Sequence, residues 1–210
     1  MKKKSELHSI LSGKWEDGTR PKDIYDRCIR TTPGTYVDNI IDGLSCGDRR
    51  IENGCSELAS LMSAEYPELL YPHVSLFIAN INAKEKMIRW EAVCTLGHLA
   101  AVDDARLIVP FIPRIIVHLR DKSIVLAGHA LATLSKMALA YPDRARDIFS
   151  ALIEAADAFP GNRIGFVIEA MGPLIALESL NAAIEKFVFP YTKSPVKVVA
   201  RKATKVLKNL

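Results

Sequence analysis

The chain has 210 residues, 49% of them hydrophobic and 25% charged, with a formal net charge of +4. That balance suits a folded chain with a sizeable core and excludes disordered and collagen-like classes. The longest apolar run, 107–119, is interrupted by Pro110, Pro113 and Arg114 and is too short to span a bilayer. The basic start Met1–Lys4 is followed by no apolar stretch, so a cytoplasmic protein without a signal peptide is expected.

Charge is unevenly placed. Residues 1–30 carry eight Lys/Arg against five Asp/Glu, residues 31–189 carry fourteen against nineteen, and residues 190–210 carry six with no acid. A weakly acidic body therefore ends in a basic segment. The four cysteines, Cys28, Cys46, Cys55 and Cys94, show no CxxC spacing, and three sit within helical apolar patterns, so they are expected to be buried thiols rather than metal ligands or a disulfide.

Leu7, Ile10, Leu11 and Trp15 recur at helical spacing, and Pro21 opens a second helix on Ile24, Tyr25, Cys28 and Ile29. These form an N-terminal helical cap, or a degenerate repeat, over 1–31. Beyond it the chain reads as helix pairs. Thr32 is placed to cap a helix starting at Pro33, with Ile40, Ile41 and Leu44 on one face. A turn at 45–48 leads to a partner helix carrying Ile51, Cys55, Leu58 and Met62.

Helices are expected over 68–81 and 84–101, then from Asp103-Asp104 through Pro110 into 122–140. The next pair covers 143–159 and 162–177, split at Pro160-Gly161. The last covers 181–191 and 195–210, with Ser194 as cap. The small residues central to the second helices, Cys55, Ala92, Ala130, Ala170 and Ala203, are 37, 38, 40 and 33 residues apart, and Pro72 lies 38 before Pro110. A period near 40 divides the array into five pairs at about 32–65, 66–102, 103–141, 142–178 and 179–210. Such pairs are the signature of an α-solenoid, and no strand-like alternation competes with them.

The segments IVPFIPRIIVHLRDKSIVLAGHALATLSKMA and LLYPHVSLFIANINAKEKMIRWEAVCTLGHLA resemble HEAT repeats. They share leucine-type residues around a first-helix proline and a small–apolar second helix, seen in Ile88-Arg89, Ala92 and Leu96-Gly97. The resemblance covers about 33–210. Arg89 has no counterpart at Ala127 or Val167, which breaks any Asp–Arg ladder. It implies an all-α, right-handed superhelix of HEAT or armadillo type and a habit of binding macromolecules. It fixes no chemistry.

Resemblance to HEAT arrays also implies that second helices line the concave side. The stripe opposite the core is then Trp90, Glu91 and Cys94, followed by Gly128, His129 and Ala132, then Ile168 and Gly172. Helix 162–177 carries Ile164, Phe166, Val167, Ile168, Met171 and Leu174 with Glu169 as its only acid, so it lacks a polar face and calls for cover. The N-terminal helices, a second copy in a homodimer, or a docking helix from a protein partner would supply it.

Lys197, Arg201, Lys202, Lys205 and Lys208 form a basic stripe on the last helix. That stripe reads either as a terminal cap or as a contact for nucleic-acid phosphates, without interleaved aromatics for base stacking.

Enzyme classes find little support. There is no HExxH, no phosphate-binding glycine loop and no GxSxG elbow. None of the five histidines is followed by Glu, which the iron sites of HEAT-built hydroxylases would need. A HEAT-like DNA glycosylase would need a basic concave face around Trp90 and Glu91, against the acidic body. Glu91, His129 and Glu169 share one aligned position, but one residue per repeat is poor geometry for a metal. The expected role is a non-catalytic scaffold or adaptor without cofactor or small-molecule substrate. A nucleic-acid-associated protein is the alternative.

Overall fold

The computed structural model describes residues 5–210; the basic start Met1–Lys4 lies outside the described residues. Every regular element among them is helical, with no strand. None of these helices is long and apolar enough to cross a membrane. The chain divides into two compact units, Met1–Ile108 and Val109–Leu210.

In the first unit, α1 (Glu6–Leu11) is capped by Ser5, whose hydroxyl accepts from His8 N–H at 3.2 Å. Its Leu7, His8 and Leu11 are buried, and His8 Nε2 donates to the Asn39 carbonyl at 2.6 Å. Trp15 lies outside the helix, its indole N–H donating back to Leu11 O at 3.0 Å. Pro21 opens α2 (Pro21–Ile24), which widens into a π turn over Tyr25–Ile29. The wider turn lets Ile24, Tyr25 and Ile29 all be buried. Arg30 then grips Glu65 with two nitrogens, at 2.9 and 2.7 Å.

Thr32 does not cap the next helix. Its backbone sits at φ −138°, ψ 53° and its hydroxyl donates backward to Cys28 O at 3.3 Å. Pro33–Tyr36 is instead a 3-10 turn leading into α3 (Val37–Gly43). Asp48 caps α4 (Arg49–Glu65) through Arg50 N–H and Ile51 N–H. Gly43 touches α4 so closely that a Cβ there would strike Cys55 Sγ.

The helix expected over 68–81 is broken into α5 (Pro67–Leu70), a 3-10 turn at Tyr71–His73 and α6 (Val74–Asn80), because Pro72 has no N–H to continue the ladder. The long α7 (Lys86–Leu99) packs against α4 and α6 and buries Ile88, Ala92, Val93, Leu96 and Leu99. Asp103 does not start a helix. It is 4% exposed, and its carboxylate accepts from Leu107 N–H, Ile108 N–H and Tyr71 O–H at 2.8, 2.9 and 2.6 Å.

The second unit opens with a 3-10 turn at Val109–Phe111 leading into α8 (Ile112–Val117). Ser123 caps α9 (Ile124–Ala140). A turn at Pro142–Arg144 precedes α10 (Ala145–Glu154), and Arg120 reaches the Glu154 carbonyl at 2.6 Å. The chain reverses at Gly161, where φ is +64°, and enters α11 (Ile164–Leu174). A last 3-10 turn, Glu178–Leu180, leads into α12 (Asn181–Val188) and α13 (Lys197–Lys208). Ser194 does not cap α13, which starts after Val196.

One local order recurs five times: a 3-10 turn, a short helix, then a longer one. It runs through α3–α4, α6–α7, α8–α9, α10–α11 and α12–α13, and proline stands in the first four turns at Pro33, Pro72, Pro110 and Pro142.

Candidate functional site

Trp90, Glu91 and Cys94 lie half-buried on α7 in the first unit. The Trp90 indole N–H donates to Glu91 Oε1 at 2.9 Å. Across on α4 stands Glu57, whose pKa is pushed up to about 7, first by burial and then by the Glu91 charge. Burial raises Glu91 as well, while hydrogen bonds with Ser60 and Trp90 pull it down. Two desolvated carboxylates thus share this face. Among the described residues no group of three or more His, Cys, Asp or Glu side chains is arranged to hold a metal.

In the second unit α11 packs against α9, α12 and α13. Gly128, His129 and Ala132 are half-buried or exposed along α9, as their spacing predicts. Burial, then the Lys136 charge, lowers the His129 pKa. On α11 the expected stripe is out of phase. Ile168 is 0% exposed and belongs to the core, and Gly172 is half-buried with Val206 beneath it. The outward positions are Phe166, Glu169 and Pro173, with Phe166 44% exposed.

Between α9 and α11 these side chains border an open trough of about 250 Å³. It is lined by Leu131, Ala132, Ser135 and Lys136 from α9 and by Phe166, Glu169, Ala170 and Pro173 from α11. Ser135 fixes the spacing of the two helices by donating to the Ala170 carbonyl at 2.8 Å. Sequence reasoning missed Phe166, Ser135 and Pro173. A usable signal existed: Glu169 is the only charge on the helix and marks its wet side, and Phe166 and Pro173 lie three before and four after it.

Lys202 also departs from its expected place. It turns inward to Glu169 at 2.8 Å and over the Phe166 ring at 5.0 Å, its stem crossing Gly165. Lys197, Arg201, Lys205 and Lys208 remain exposed on α13, opposite the buried Val199, Ala203 and Val206.

No family model matches this chain, and no curated protein does. A crystal structure described as that of an engineered protein is similar to it along nearly the whole length. The TM-score is 0.64 at 12% identity, covering 98% of this chain and 96% of the other. At that identity the likeness is one of fold alone.

Proposed function

We propose that this chain is a HEAT-like repeat protein that serves as a non-catalytic scaffold, holding a protein segment in the trough between α9 and α11. The fivefold recurrence of turn, short helix and longer helix supports the repeat reading. The observation that carries the binding role is the exposed Phe166 beside an apolar trough about 250 Å³ in volume. A folded chain gains nothing by leaving a large ring half in water beside an empty hollow, whereas an incoming apolar side chain buries both.

Selection of 12-residue peptides displayed on phage, followed by titration into labelled protein, tests this directly. Peptides that shift Phe166 and Ala132 resonances and lose binding in Ala132→Asp and Phe166→Ala support the scaffold. Failure to enrich any peptide, or enrichment of peptides indifferent to both substitutions, sinks it. Light scattering across a concentration series shows whether a second copy fills the trough, with Ala132→Asp as the dissociating variant.

The nucleic-acid alternative rests on Lys197, Arg201, Lys205 and Lys208, exposed on a helix without an acid. Its binding would fall steeply with added salt, whereas occupancy of the trough would barely change.

A further inference from the structure

We propose that a second pocket, in the first unit, binds a purine nucleoside phosphate. The pocket lies where the segment after α1 passes the start of α4, has a volume of about 420 Å³, and is lined by Gly13, Lys14, Trp15, Arg50 and Asn53. That volume is in the range of small-ligand pockets, roughly 300–1,000 Å³.

Four side chains supply three kinds of recognition. Arg50 and Asn53 stand three apart on α4 and so project from one face. Arg50 Nη1 donates to the Gly13 carbonyl at 2.6 Å, which holds the guanidinium beside Lys14. Neither cation has a carboxylate partner among the described residues, so the pair offers uncompensated positive charge to an anion. Trp15 is half-buried and its indole N–H is already spent on Leu11 O, so the ring is fixed and its remaining surface is apolar. The Asn53 side-chain oxygen is buried with no hydrogen-bond partner. That oxygen has no accessible surface of its own, so a ligand meets the carboxamide once it turns, and the lack of a partner leaves it free to turn.

An inorganic anion answers only the first of these features. It has no flat face for the indole and no N–H for the carboxamide, and it would fill a small part of the volume. A purine nucleotide answers all three. Its phosphate meets Arg50 and Lys14, its base stacks on Trp15, and its donor–acceptor edge complements the carboxamide, which turns to present oxygen or nitrogen. Nothing in this pocket involves the trough between α9 and α11, so the two readings stand or fall separately.

The chain has two tryptophans, so Trp90→Phe leaves Trp15 as sole indole reporter. Titrating AMP into that variant should quench its fluorescence saturably below millimolar concentration and shift the Trp15 Nε1–H resonance. Arg50→Ala should weaken AMP at least about tenfold, and Asn53→Ala should weaken AMP more than it weakens inorganic phosphate. If Arg50→Ala melts early through loss of its Gly13 contact, the exposed Lys14→Ala makes the same test. Inorganic phosphate matching AMP in response and concentration means an adventitious ion only and overturns the proposal. So does the absence of saturation at 5 mM AMP. A 5′-phosphorylated ten-residue oligodeoxyadenylate separates the sources. Tighter, salt-dependent binding than AMP that Arg50→Ala also weakens assigns the pocket to strand ends, and weaker binding assigns it to free nucleotide.

Discussion

Lys202 Nζ reaches Glu169 Oε2 at 2.8 Å by laying its stem across Gly165. A methyl group at residue 165 would come within 2.9 Å of Lys202 Cδ. Gly165→Ala should therefore push Lys202 off Phe166, while raising helix propensity. The two effects oppose each other, so the unfolding free energy from urea curves should move by less than about 1 kcal/mol. The diagnostic change is in mobility: the Lys202 side chain should lose order by NMR, and adding salt to the parent should not reproduce that loss.

Ile168 and Ala132 were expected on one surface, but the structure buries the first and exposes the second. Ile168→Asp should cost about 4 kcal/mol or more by placing a carboxylate in the core. Ala132→Asp, exposed in mid-helix, should cost about 1 kcal/mol or less, chiefly in helix propensity, which makes it the proper probe of the trough. Denaturant curves for the two variants check this. Equal effects would contradict the packing of α11.

Glu57 and Glu91 face each other across α4 and α7. Because the folded-state pKa of Glu57 is raised to about 7 from 4.5, its contribution is fully present below pH 4.5 and is lost as pH rises through 7. Glu57→Gln should thus stabilise the protein at pH 8 by about 1–2 kcal/mol, after allowance for partial solvent screening, and change little at pH 4. Thermal melts at both pH values decide it.

Asp103 closes the end of the first unit by accepting from two backbone N–H groups and the Tyr71 hydroxyl. Asp103→Asn should cost about 1–3 kcal/mol, since an amide cannot accept from all three with both of its ends. Its hydrogen bond to Asp103, and then burial, raise Tyr71 to about 12, and burial followed by the Glu65 charge does the same for Tyr25. Raised pKa values mean that this stabilisation is complete below pH 10 and disappears as pH climbs through 12. Alkaline unfolding should begin earlier in Asp103→Asn, and ultraviolet titration of Tyr71→Phe should lose one late-ionising phenol.

The long helices were legible from their apolar stripes, and α4 and α9 also from the capping side chains Asp48 and Ser123, whereas α7 and α13 have no side-chain cap. The shorter ones were misjudged at prolines. Pro72 and Pro110 turn expected single helices into 3-10 turns followed by six- or seven-residue helices, a local rule that hydrophobic spacing alone does not reveal. On α11 the error had another cause. So many residues there are apolar that the stripe has no visible edge, and only Glu169 sets its phase. Lys202 was misplaced because its charge argued for water, while an acid 33 positions earlier and a bare glycine drew it inward. The pocket beside Trp15 depends on a loop meeting α4, which no periodicity encodes.

The π turn at Tyr25–Ile29 holds one residue more than an α-helical turn would need. Removing a single residue from its exposed side, Asp26 or Arg27, would let the segment relax into ordinary helix with Ile24 and Ile29 still able to turn inward. Elsewhere in these helices a deletion rotates everything beyond it by about 100° and exposes the core. The second helix is therefore a place where the chain tolerates a change of length, and its neighbours α3 and α4 need not register the difference.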